Sequence, residues 1–123
     1  MNGMARSLGL CLVVILAVSC ATSQSRYVML GQSFPPKPKG CEVQVFRGAA
    51  PDRPFVRISR LDVHLEKTLF LGSSLESALP ELKKQARLSG ADAVIEVRES
   101  FSMVGETKVY HVAAPGIRYT DTP

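Results

Sequence analysis

The sequence predicts an α+β domain, with one helix packed on a four-stranded antiparallel or mixed sheet in the order β-β-α-β-β. Three observations carry this. Leu75, Ala78, Leu79, Leu82 and Ala86 form one apolar stripe at helical spacing. Short runs of alternating apolar residues flank that stripe on both sides. The chain has 123 residues, enough for one domain. A helix of this length is marginal alone in water, so its stripe must cover a sheet.

The helix is expected to be regular over Ser77–Ser89, with a looser turn before it. Pro80 is the reason, because an interior proline removes a hydrogen bond and crowds the preceding turn, whereas the first turn tolerates it. The other reading is a longer helix kinked at Pro80. Ser73-x-x-Glu76 has the form of a capping box, and Gly90 can take the positive φ that ends a helix. Lys83, Lys84, Gln85 and Arg87 lie off the stripe and are expected in solvent.

Two strands are expected before the helix. Cys41–Phe46 places Cys41, Val43 and Val45 on one face. Gly48–Pro54 is a loop, and Phe55–Leu65 is a strand whose alternation slips near Ser59-Arg60, as a β-bulge would cause. Leu69-Phe70-Leu71-Gly72 closes this region. After the helix, Ala93, Ile95 and Val97 form the better core face of a third strand, and Phe101 and Met103 continue its parity. Gly105-Glu106 is a hairpin turn. Thr107–Ala114 is the fourth strand, with Val109, His111 and Ala113 on one face and Lys108, Tyr110 and Val112 on the other. Pro115-Gly116 is expected to end it. The domain is thus drawn over residues 41–120, with a tail at 121–123.

The N-terminus reads as a signal peptide over residues 1–19. Arg6 supplies the positive charge, and Leu8–Val18 is an apolar run shorter than the roughly 20 residues a spanning helix needs. Leu16-Ala17-Val18-Ser19-Cys20 resembles a bacterial lipobox, although Ala17 stands where leucine is usual. The resemblance implies cleavage before Cys20 and acylation of that cysteine, giving a stable anchor in the lipid bilayer. Ordinary cleavage after Ser19 or Ala21 is the alternative. Ala21 lacks the aspartate that retains many such lipoproteins in the inner membrane, which implies the periplasmic face of the outer membrane. Residues 20–40 read as the lipidated Cys20 followed by a Pro-rich tether, from the polar run Thr22–Ser25 and Phe34-Pro35-Pro36-Lys37-Pro38. With Cys11 removed and Cys20 acylated, Cys41 is the one free thiol. It is either a small core hydrophobe or a group for an intermolecular or redox role.

The remaining residues offer little chemistry. The net charge is +4, from 15 basic and 11 acidic residues scattered among 7% aromatics, which does not make a nucleic-acid footprint. The two histidines, His64 and His111, belong to no HxH or HExxH pattern. His64 shares the outer face of its strand with Arg60 and Asp62. Glu96 and Glu99 are an odd number apart and point to opposite faces. There is no nucleophile elbow. The expectation is a non-enzyme with no cofactor and no resident metal. The alternative is a small-molecule or metal-binding module using His64 or His111.

Leu82-Lys83-Lys84-Gln85-Ala86 followed by Gly90-Ala91-Asp92-Ala93-Val94-Ile95 resembles a helix-to-strand motif of small bacterial envelope proteins. These include the outer-membrane stress-sensor lipoprotein of the Rcs phosphorelay and a small family described as heavy-metal-binding. The resemblance spans about Cys41–Arg98 and implies a similar fold and a partner protein in the cell envelope. The Rcs sensor relies on two disulfides, which this mature chain cannot form, so neither disulfide sensing nor metal binding carries over.

Overall fold

A computed structural model describes residues 23–66 and 74–121. The signal segment 1–19, Cys20 and the Leu69–Gly72 stretch lie outside the described residues. The fold is α+β, with one helix on a mixed sheet of six strands. In chain order these are β1 (Ser23–Met29), β2 (Gln44–Val45), β3 (Phe55–Glu66), α1 (Leu75–Ser89), β4 (Ala93–Val94), β5 (Arg98–Val104) and β6 (Thr107–Tyr119). The sheet order is β1-β3-β6-β4-β2, and β5 also pairs with β6. The β2–β4 pair is parallel, and the others are antiparallel.

The expected four strands become six for two reasons. The first lies in the segment expected to be a tether. Ser23–Met29 pairs along β3 from Ser23↔Leu65 to Met29↔Ser59. Its polar composition suits an edge strand, which is solvated along one side. Ser25 donates to Glu81 Oε2 at 2.6 Å, and Gln85 Nε2 donates to Ser25 Oγ at 3.1 Å, tying β1 to the helix. Gln85, expected in solvent, is therefore buried. The Pro-rich run is seated as well. Phe34 packs on the main core, and the Lys37 N–H donates to the Arg87 carbonyl at 2.8 Å. That bond satisfies one of the carbonyls a helix end leaves open. Lys37 Nζ also lies 2.6 Å from Asp92 Oδ1. The folded part therefore includes Ser23–Met29 and the Pro-rich run, ahead of the expected start at Cys41, and the expected strand Cys41–Phe46 contracts to Gln44–Val45.

The second reason is a break in the expected third strand. Glu96 takes φ 51 between β4 and β5, where pairing with β6 is interrupted. Ala93, Val94 and Ile95 are all buried, because they serve two cores. Val94 joins the main core, where Leu75, Ala78, Leu82 and Ala86 of α1 meet Leu61, Val63, Leu65, Tyr110, Val112 and Ala114 of the sheet. Ala93 and Ile95 join Ile117 in a smaller cluster with Phe46, Phe55 and Tyr119. Phe101 and Met103 do not continue the core. Phe101 pairs with Tyr110 and so faces the helix side, but α1 lies over β1 and β3, leaving Phe101 52% and Met103 62% exposed.

The helix starts at Leu75, two residues before the expected Ser77. Ser74 is its cap, with φ −138 and ψ 166, and accepts the Ser77 N–H at 3.4 Å. Pro80 sits inside the helix and is exposed. It removes the N–H that would reach the Glu76 carbonyl. Gly90 closes the helix at φ 84. The strand expected to end at Pro115-Gly116 instead runs on to Tyr119. Pro115 stands opposite Arg60, and Ile117 pairs with both Arg57 and Ala93. The register of β3 shifts between Arg57 and Ser59, a bulge one residue earlier than the alternation indicated. Gly116 faces that bulge, where an added Cβ would lie 2.5 Å from Ser59 Oγ. Ser89 donates to the Ala86 carbonyl, so Ser59 is the donor in the buried 2.9 Å contact with Ser89.

Gly90→Ala tests whether the Pro-rich run is seated. A Cβ there would meet Phe34 Cβ and the Pro35 carbonyl oxygen, each at 2.8 Å. The left-handed backbone alone disfavours alanine by about 1–2 kcal/mol, and the clash raises the expected loss to about 3 kcal/mol in urea unfolding. A loss of only about 1 kcal/mol would mean that Phe34 and Pro35 are not held against the helix end.

Candidate functional site

The helix covers one face of the sheet. Over β1, β3, β6 and β5, the other face is open, and alternation with the buried positions assigns its residues. Leu61, Val63 and Leu65 point to the helix, so Arg60, Asp62, His64 and Glu66 point away. Register then builds cross-strand rows. One row is Gln24, His64, His111 and Ser100. The next is Arg26, Asp62, Ala113 and Arg98.

The two histidines, read separately in the sequence, are direct cross-strand partners. Their ring centroids are 4.4 Å apart, edge to face at 81°. Ser102 Oγ lies 2.6 Å from His111 Nε2. Burial, and then the neighbouring His111, hold the His64 imidazole below its ordinary pKa, while Asp62 acts weakly in the other direction.

This arrangement does not make a metal centre. A zinc site needs three or four ligands, and no group of three or more His, Cys, Asp or Glu side chains that could hold a metal is found among the described residues. Nor does it make a catalytic triad. Ser102 and His111 are within hydrogen-bond distance, but no carboxylate is bonded to His111 among the described residues, and Ser102 is exposed. Glu96 and Glu99 have different partners and do not form a carboxylate pair. Glu96 pairs with Arg57, and Glu99 accepts from Tyr110 Oη at 2.6 Å. Burial and then Glu99 push the Tyr110 phenol well up, so it remains a donor. Cys41 is half-buried and has no disulfide partner among the described residues.

The open face is instead suited to binding anionic groups. A depression of about 310 Å³ is lined by Arg57, Arg60 and Arg98, with Ala113 and Pro115 as its apolar floor. Arg57 is engaged by Glu96, and Arg60 approaches Asp62 at 3.9 Å. Arg98 has no ion-pair partner among the described residues. Guanidinium groups present paired donors that fit carboxylate or phosphate. Sequence reasoning missed this cluster because Arg57, Arg60 and Arg98 belong to two separate strands. Their convergence depends on β6 pairing with both.

No helix among the described residues is long and apolar enough to cross a membrane.

The histidine pair gives a pH prediction. The folded-state pKa of His64 lies below the unfolded value, so the unfolded chain binds more protons as pH falls. Its contribution is full above the unfolded value, near pH 6.5, and is lost below it as the unfolded chain takes up its proton. An NMR titration should place His64 below a free imidazole, and His111→Ala should move it back upward. The thermal stability lost between pH 7.5 and 5.5 should shrink in His64→Gln. An ordinary His64 midpoint in the wild type would contradict the pairing.

Compared with protein-family models, with curated proteins and with solved structures, the chain matches none.

Proposed function

We propose that this protein is a non-enzymatic bacterial lipoprotein, anchored through acylated Cys20 at the periplasmic face of the outer membrane, whose open sheet face binds an anionic surface of a cell-envelope partner. The observation that carries the anchoring is Leu16–Cys20, a small-residue approach to cysteine directly behind an apolar run. The arginine-lined depression supports the binding part. The resemblance to small envelope lipoproteins points the same way. The His64–His111 pair gives a metal-binding reading two ligands, fewer than such a site requires.

The fold changes what the anchor does. Cys20 is three residues ahead of Ser23, the first residue of β1. Three residues span at most about 10 Å. A domain anchored at Cys20 therefore rests at the membrane surface, with its first strand held at the bilayer end, rather than standing off on a spacer of about 20 residues as the tether reading required. At this proximity two or more acyl chains hold the domain stably, each buried methylene contributing about 0.8 kcal/mol.

Mass spectrometry of the mature N-terminus is the test. The expected result is a chain beginning at Cys20 and carrying acyl groups, which partitions into detergent and is released to the aqueous phase by Cys20→Ser. An unmodified chain beginning at Cys20 or Thr22 and recovered in the soluble fraction would remove the anchor.

A further inference from the structure

Outside the arginine depression, the β5–β6 hairpin ends in an exposed apolar pair, Phe101 and Met103, whose position relative to the start of β1 is fixed by register.

Ser23 pairs with Leu65, Leu65 with Tyr110, and Tyr110 with Phe101. Entry of the chain into β1 and the start of the exposed hairpin therefore share one row across the sheet. They are separated by three strand spacings, about 14 Å. From that row, β5 runs on through Met103 to the Gly105-Glu106 turn, where Gly105 has φ 64. The turn lies about 13 Å beyond the row, at about 3.3 Å per residue. β1 runs from Ser23 away from that turn, so the turn and the start of β1 are at the same end of the sheet. Three residues of chain give Cys20 a reach of at most about 10 Å from Ser23, so the hairpin tip projects at the end of the sheet to which the proposed anchor is attached.

The side chains at that end suit a bilayer interface. Met103 is 62% exposed and Phe101 52%. Phe101 leans on Tyr110, with ring centroids 5.1 Å apart, and Lys108 Nζ sits 4.4 Å from its ring centroid. An exposed aromatic ring beside a flexible lysine, whose ammonium lies over the ring face, is the kind of group that seats at the headgroup boundary, the lysine stem in the apolar layer and its ammonium snorkelling to the polar one. Glu106 at the turn offsets Lys108, so attachment relies on apolar burial rather than on anionic lipid.

We infer that the β5–β6 hairpin is a second membrane contact, with Met103 and Phe101 entering the interface of a zwitterionic bilayer and fixing the orientation of the domain about its anchor. This rests on the proposed acylation of Cys20. It leaves the arginine-lined depression on the open face, away from the hairpin tip and free to meet a partner.

The protein contains no tryptophan, so a single introduced indole reports on one place. Lipidated full-length Met103→Trp would be reconstituted in phosphatidylcholine–phosphatidylethanolamine vesicles with and without bromine on the acyl chains. Phe101→Trp serves as a second reporter should Met103→Trp fold poorly. Val56→Trp, 47% exposed and opposite Arg118 at the far end of β6, is the reference. The expected result is blue-shifted emission and strong bromine quenching at position 103 or 101, little affected by salt, with none at 56. Equal quenching at 103 and 56 in vesicle-bound protein would overturn the hairpin contact and leave the anchor intact. A blue shift without bromine quenching would place another protein surface there and also overturn it. If instead the chain fails to float with vesicles and its cysteine is unmodified, the anchor reading fails. The mature chain, held on nickel-chelating vesicles by an amino-terminal hexahistidine, then decides the hairpin by the same quenching.

Discussion

The structure hangs from β6. Its 13 residues pair with β3 along nearly their whole length, with β5 over Thr107–Ala113 and with β4 at Gly116 and Ile117. A strand flanked on both sides must satisfy its backbone groups through those neighbours, because water cannot reach them. Near its far end this demand meets a proline and a glycine. Pro115 has no N–H to give, and its carbonyl accepts from Ile95 at 3.3 Å. Gly116 leaves room for Ser59, which the β3 bulge turns inward onto Ser89. The bulge, the glycine and the helix end form one joint, and the second small core around Ile117 exists because β6 passes through that joint instead of stopping.

How far the sequence discloses this depends on whether a contact is local. The helical stripe, the Gly90 stop and the Gly105-Glu106 turn were legible because capping, periodicity and turn chemistry act within a few residues. Once that turn is placed, Ser100 must oppose His111. The pairing of His64 with His111 was not legible, since nothing near either residue sets the β3–β6 register. β1 was hidden for a related reason. Ser23, Gln24, Ser25 and Arg26 are poor strand formers, and they are ordered by Val63, Glu81 and Gln85, distant in sequence. Lys37 likewise finds Asp92, whose carboxylate also accepts the Tyr119 N–H at 2.8 Å. Burial would raise the pKa of Asp92, but the hydrogen bonds from Lys37 and Tyr119 outweigh it and hold the carboxyl below the ordinary range.

The helix covers one side of the sheet, and the proposed reading places recognition on the other, where His64, His111, Arg60 and Arg98 are carried on strands rather than on loops. Such a surface can orient charged groups of a partner. In the proposed arrangement the anchor enters at the edge strand, and the bilayer lies beyond the end of the sheet. Shortening the connection from a long spacer to a few residues turns a freely swinging domain into one with a restricted set of orientations, a much smaller volume of search for any envelope partner.

Ser23–Met29 is a full strand rather than part of a tether, and amide hydrogen exchange on the native protein tests this most directly. The account predicts that the β1 amides bonded to β3 are protected far above free-peptide rates and weaken together with β3 as denaturant is added. Free-peptide exchange throughout residues 23–29, with β3 and β6 still protected, would contradict it.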